Sequence, residues 1–248
     1  MKKIKYLIFA LIVSTGLFFL FGPEVLPENL QFRETLNLGA ESDVIIIFNS
    51  GGWGNTPLEE AMDFTPIVEE IEQILNNWGY DSIVVPYKRT KDNLFGKISG
   101  AKDSLDSFKF SSKVLAEEME FLTKNFPNKK IIIAGLSNGG SLVRETMKKV
   151  SEEASIYAIE VGTPFWAETF ESENVLKLNN NGKDSLATGE IKHLVSSLIK
   201  APFKWIFSKF DGQNLCFSQA IQVKGHEYFW SSPEVGSKIV AFLEDKFR

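Results

Sequence analysis

The chain has 248 residues, 44% of them hydrophobic, enough for one large domain with a substantial core. A formal net charge of −5 gives no indication of a broad basic surface for nucleic acid, and the single cysteine, Cys216, excludes an intrachain disulfide. Zinc-type Cys/His spacings, a phosphate-binding loop of the form G-x-x-x-x-G-K-S/T, sustained heptads, internal repeats and long low-complexity tracts are all absent from the sequence, so neither a metal nor a cofactor is expected.

Lys2, Lys3 and Lys5 precede an apolar run from Tyr6 to Phe21 that Gly22-Pro23 closes. This is a positive n-region followed by an h-region. A cleaved signal needs a small-x-small site, which the residues around Gly22 match poorly; a lipoprotein needs a cysteine there, and none occurs. Residues 1–23 are therefore expected to be a signal-anchor, short for a span of about 17–25 residues but extended by snorkelling lysines. The positive-inside rule then puts the domain on the extracytoplasmic side of the cell membrane. Secretion after signal cleavage is the alternative. Residues 24–40, with Pro27, read as a tether leading into an edge strand, and 41–248 as the folded domain.

Residues 44–48 are a continuous apolar run of strand length, as a buried parallel strand requires, and 49–54 form a glycine-rich loop. Thr65-Pro66 has the form of a helix start; Ile67, Ile71, Ile74, Leu75 and Trp78 recur at helical spacing, and Gly79 marks the stop. A strand is expected at 82–85, a long polar connection at 88–110, and a helix at 111–126 with Val114, Leu115, Met119 and Leu122 on one face. Further strands are expected at 130–134, 156–161, 175–178 and 220–223. Pro233 opens a last helix with Val235, Ile239, Val240 and Leu243 on one face. Strands alternating with amphipathic helices imply an α/β fold: one mostly parallel twisted sheet with helices on both faces, in a single domain.

Gly135-Leu136-Ser137-Asn138-Gly139 directly follows the apolar run Ile131–Ala134 and precedes a helical pattern of Leu142, Val143, Met147 and Val150. G-x-S-x-G between a buried strand and a helix is the nucleophile elbow, a turn so sharp that only small residues fit two positions either side of the serine. The serine hydroxyl then stands at a helix N-terminus, where developing negative charge is stabilised. Two further motifs accompany it: Asn49-Ser50-Gly51-Gly52-Trp53-Gly54 after the first buried strand, and Gly225-His226-Glu227 before the last helix.

On these three motifs the chain, from about residue 40 onward, resembles the α/β-hydrolase superfamily, and within it small serine esterases and lipases. The resemblance implies a triad in the chain order Ser137, Asp184, His226. His226 is one of two histidines; the other, His193, reads as a helix-surface residue beside Leu194, Leu198 and Ile199. Asp184 follows the 175–178 strand in the loop Asn181-Gly182-Lys183-Asp184-Ser185, where the superfamily places its acid; a turn-forming aspartate is the plainer reading, with Asp211 and then Glu160 in reserve. The backbone N–H groups of Asn138 and Trp53, with Gly52 next, are the expected oxyanion donors. Glycine stands where family members often carry His-Gly-x-Gly.

The implied activity is hydrolysis of carboxylic esters through an acyl-enzyme, with no cofactor or metal. Phe165 and Trp166, together with Phe203 and Trp205 of a lysine-bearing aromatic segment, are expected near an apolar acyl substrate. That segment suits a membrane interface or an acyl-chain lid, or simply a helix packed on the sheet with its lysines in solvent. Lys88, Arg89, Lys91 and Lys97 could meet anionic head groups, although a solvated loop is the plainer reading. The same triad would serve an acyltransferase, a peptidase or an amidase, and the same fold a catalytically inactive binding module. Expected partners are thus a small-molecule or lipid ester and a membrane, with no nucleic acid.

Overall fold

The computed structural model of the protein describes residues 42–150, 153–212, 223–232 and 234–248. The anchor and tether expected at 1–40, Cys216, the strand expected at 220–223 up to residue 222, and Pro233 lie outside the described residues. Among the described residues no helix is long and apolar enough to cross a membrane.

Among the described residues five parallel strands form one sheet: β1 (Val44–Asn49), β2 (Ser82–Pro86), β3 (Lys130–Leu136), β4 (Ile156–Val161) and β5 (Val175–Leu178), in the order β2-β1-β3-β4-β5. Every residue of β1 and β4 is buried, which is why both read as unbroken apolar runs rather than alternating ones. Alternation still decides which helices each side chain meets. Val44, Ile46 and Phe48 of β1, with Ile132 and Ala134 of β3, pack beneath α1 (Thr65–Asn77) and α7 (Gly236–Phe247). Ile45, Ile47, Ile131 and Ile133 face the other way, onto α3 (Lys109–Asn125) and α4 (Asn138–Val150). The α/β sheet with helices on both faces is as the sequence predicts.

Two elements differ from expectation, while the aromatic segment is helical as read from the sequence. The polar connection at 88–110 contains a helix, α2 (Leu94–Leu105). Asn93 caps it, its side chain accepting from the Gly96 N–H at 2.7 Å. Gly96 and Gly100 hid this helix in the sequence, yet both are packed: a Cβ on Gly96 would strike the Lys91 carbonyl, and one on Gly100 would press on Thr90 and Trp53. β3 continues two residues past the expected end, to Leu136, because Gly135 and Leu136 still pair with Glu160 and Val161. The aromatic segment is a 20-residue helix, α6 (Ile191–Phe210), preceded by the single turn α5 (Ser185–Thr188).

The order of strands fixes where a site can lie. From β1 the chain crosses to β2 on one side, and β3 pairs with the other side of β1. Loops leaving the carboxyl ends of β1 and β3 therefore diverge, and the crevice between them is the position at which open parallel sheets bind ligands.

Candidate active site

Ser137 sits at that crevice, between the last residue of β3 and the first of α4. Its φ of 54° is left-handed, a conformation a non-glycine residue adopts only under constraint. The constraint is local. The Ser137 N–H donates to the Val161 carbonyl at 2.8 Å, and its carbonyl accepts from the Ser141 N–H at 3.1 Å. A Cβ at Gly135 would collide with the Gly139 backbone, and one at Gly139 would collide with the Asn49 carbonyl. Both flanking glycines of the pentapeptide are thus required by contact, as the sharp turn predicts.

The loop after β1 lies against this turn. A Cβ on Gly51 would stand 3.5 Å from the Ser137 Cβ. Asn49, fully buried, donates from Nδ2 to the Ala134 carbonyl at 3.2 Å, and Asn138 Nδ2 donates to the Gly52 carbonyl at 3.1 Å. Gly52 and Gly54 both have left-handed φ, and the Gly54 N–H closes a turn onto the Gly51 carbonyl. Trp53 is 42% exposed and Gly52 is exposed as well.

Arg89 holds the loop from beneath, and here the sequence reading of a solvated loop is corrected. Arg89 is 3% exposed, and burial draws its guanidinium down to about 10, still charged at neutral pH. One Nη donates to the carbonyls of Ser50 (3.1 Å) and Gly52 (3.3 Å), while the Arg89 N–H donates to the Gly54 carbonyl at 2.8 Å. The next residue's Thr90 hydroxyl takes the Trp53 carbonyl at 2.9 Å. In a trans peptide the N–H points opposite its carbonyl, so pinning the Ser50 and Gly52 carbonyls fixes the directions of the Gly51 and Trp53 N–H groups. Arg89 was missed because a charge in a lysine-rich stretch gives no sign of burial; the only hint was its succession to a strand end.

Asp184 and His226 meet beyond the end of β5, two strands from β3. Asp184 follows β5, is fully buried, and places Oδ2 2.8 Å from His226 Nδ1. Its Oδ1 caps α5, accepting from the N–H groups of Leu186 (2.8 Å) and Ala187 (3.2 Å). Tyr228, which the sequence reading did not single out, donates its hydroxyl to Oδ2 at 2.5 Å. Burial by itself raises the Asp184 carboxyl, but the His226 hydrogen bond and charge, with Tyr228 and the Leu186 N–H, outweigh it and hold the group below the ordinary aspartate value. Burial, then the Asp184 hydrogen bond and charge, raises the Tyr228 phenol, so it stays a donor.

The two loops are seated on each other. Asn180 Nδ2 donates to the Gly225 carbonyl at 2.9 Å, and the Ser185 N–H donates to the Lys224 carbonyl at 3.0 Å. The His226 ring lies over Gly162, where a Cβ would come 2.7 Å from its Cε1, and Gly162 directly follows the residue whose carbonyl holds the Ser137 N–H. His226 therefore stands beside the elbow. Among the described residues no hydrogen bond joins Ser137 Oγ to the imidazole; such contacts often tighten only when substrate is bound.

The reserve candidates lie elsewhere. Glu160 is buried in β4 and paired with Arg144 of α4, whose Nη2 and Nε reach the same oxygen at 2.6 and 2.9 Å. Burial raises its carboxyl against the opposing pull of Arg144. Arg144 also donates to the carbonyls of Ala167 and Glu168, fixing the loop that carries Phe165 and Trp166. Asp211 caps the far end of α6. His193 is on the surface of α6, 3.4 Å from Glu190. Phe165 and Trp166 are exposed and packed edge to face, with Phe165 against Gly189. On α6, Phe203 is exposed and Trp205 half-buried. Among the described residues no three His, Cys, Asp or Glu side chains converge as a metal site.

No protein-family model matches the sequence, and no curated protein does. Among solved structures the chain is similar to Trichoderma reesei cutinase in complex with a C11Y4 phosphonate inhibitor, at 14% identity and a TM-score of 0.43, over 64% of this chain and 73% of that one.

Three outcomes follow from this geometry. Arg144→Met strands the buried Glu160 carboxylate and should lower stability by about 3–5 kcal/mol, read from urea denaturation, while adding Glu160→Leu recovers a large part of the loss. Asp184 has a depressed folded-state value, so its contribution is complete above the unfolded value of about 3.9 and is lost as pH falls through the folded one. The urea midpoint of Asp184→Asn should accordingly lie below wild type at neutral pH, with the gap closing between about pH 5 and pH 2. Arg89→Ala, checked as folded by circular dichroism, should release the Ser50 and Gly52 carbonyls and speed amide exchange across residues 50–54 by at least about tenfold, with Arg89→Lys intermediate.

Proposed function

We propose that this chain is a serine hydrolase of carboxylic esters, of the α/β-hydrolase type. The observation that carries the reading is a serine in a strained strand-to-helix turn after β3, with a buried aspartate–histidine couple beyond the end of β5 whose imidazole reaches back over Gly162 at the end of β4. Both halves are costly to maintain. A left-handed serine costs on the order of 1–3 kcal/mol, and a fully buried carboxylate needs several donors to remain charged.

His226 takes the proton of Ser137 as its Oγ attacks the acyl carbonyl. Asp184, held by the α5 N–H groups and Tyr228, keeps the proton on His226 Nδ1 and stabilises the imidazolium that forms. The Asn138 N–H, with Trp53 or Gly52 of the loop held by Arg89, receives the oxyanion. His226 then protonates the leaving alcohol, and water, activated by the same base, releases the acid from the acyl-enzyme. No step calls for a metal or cofactor.

An apolar or lipidic acyl group is the substrate class the surroundings favour. Trp53, Phe165, Trp166 and Phe229 are all exposed on loops next to the site residues, more apolar surface than a charged or sugar substrate would require. The apolar run 6–21 supports the further reading that the domain is held at the extracytoplasmic face of the cell membrane.

The test is a series of p-nitrophenyl esters of increasing chain length. Wild type should hydrolyse them, with kcat/KM rising from acetate toward medium chains. Ser137→Ala and His226→Ala should each lose at least about 10³-fold. Turnover that survives both substitutions, in folded protein, contradicts the assignment; a steady fall with chain length contradicts the apolar preference alone.

A further inference from the structure

Helix α6 has apolar residues on two opposite faces. Ala201 and Ser208 are buried, with Leu194, Ser197 and Trp205 half-buried around them, and these fix the inner face. The outer face carries Ile191, Val195, Ile199, Phe203, Phe207 and Phe210 at helical spacing, a stripe within an arc of roughly 160° at 3.6 residues per turn. All six are exposed, Ile199 by 63%, Phe203 by 62%, Phe207 by 63% and Phe210 by 82%. Singly exposed apolar residues are ordinary; six in line along 20 residues are not.

Charge identifies what covers the stripe. The helix bears four lysines and no aspartate or glutamate, in a chain whose formal net charge is −5. Lys192 and Lys200 are exposed beside the stripe and border the shallow groove between Ile191, Val195 and Ile199. A second copy of this chain would set lysines against lysines along the same stripe. An anionic lipid surface meets both features at once: phenylalanine and isoleucine enter the acyl boundary while lysines reach phosphate, each lysine strengthening partition roughly fivefold. The helix ends where the site begins, since Ile191 follows Gly189 and the Phe165–Trp166 pair packs on that glycine.

We propose that the outer face of α6 is a docking surface for anionic lipid bilayers, lying parallel to the membrane and presenting the Ser137 crevice to it. This goes beyond the hydrolase reading, and its test reads binding, not turnover, so each can fail without the other.

The experiment uses the full chain with Cys216→Ser and Ile199→Cys, labelled with an environment-sensitive nitrobenzoxadiazole fluorophore, with Ile206→Cys as a second label position. Vesicles of roughly 3:1 phosphatidylcholine and phosphatidylglycerol should blue-shift the label and raise its emission at least about threefold. Phosphatidylcholine alone should give little change, which controls for any insertion of residues 6–21. Lys192→Glu with Lys200→Glu should abolish the response to anionic vesicles while leaving hydrolysis of a water-soluble ester unchanged. Absence of a response at both label positions, or an equal response to both lipids, overturns the proposal. A label already blue-shifted without lipid overturns it too, in favour of a second copy if dilution reverses the shift and of this chain's own remaining segments if it does not.

Discussion

The turn at Ser137 is the constraint on which the rest of the site depends. A chain leaving a buried strand and entering a helix with no intervening loop must reverse within one residue, and φ of 54° at Ser137 is the result. That strain is held by what surrounds it. β4 takes the Ser137 N–H, α4 takes its carbonyl, and the β1 loop seats on Gly139. β3 lies between β1 and β4, and all three are buried along nearly their whole length. Three buried strands thus position a strained residue, with the hydroxyl at the N-terminus of α4 where negative charge is favoured.

Around that turn the polar groups are arranged so that few act alone. Asp184 shares two oxygens among His226, Tyr228 and two N–H groups of α5. Its charge survives burial because every donor favours the ionised form. Arg89 does the converse on the other side of the crevice: a buried cation whose Nη2 is held by two backbone carbonyls, drawn also toward Asp103 and stacked 5.0 Å over Phe108. One buried anion fixes the His226 imidazole, and one buried cation fixes the loop beside Ser137. On the proposed reading both hold in place the groups that would face substrate, so that little reorganisation is needed during reaction.

Much of this was legible in the sequence because it depends on local rules. Apolar runs of strand length flanked by amphipathic helices dictate the parallel sheet, and Gly135 and Gly139 around Ser137 announce the turn. Asp184 was nameable because it follows a strand and His226 because it precedes the last helix, although nothing local said they would touch. What stayed hidden depends on non-local packing. Arg89 and Tyr228 are polar residues whose roles arise from burial against segments 37–44 positions away. The helix at Leu94–Leu105 was obscured by glycines that tertiary contact requires. α6 is apolar on both faces, so its pattern could not say which face turns inward; the buried Ala201 and Ser208 decide it.

The central claim is that Ser137 is an activated nucleophile, and covalent capture tests it most directly. Folded protein treated with a fluorophosphonate, digested and analysed by peptide mass, should carry one adduct, on the peptide containing Ser137. Labelling should be lost in His226→Ala and reduced in Asp184→Asn. An unlabelled wild type that stays so with lipid vesicles present, or an adduct on a different residue, would contradict the account.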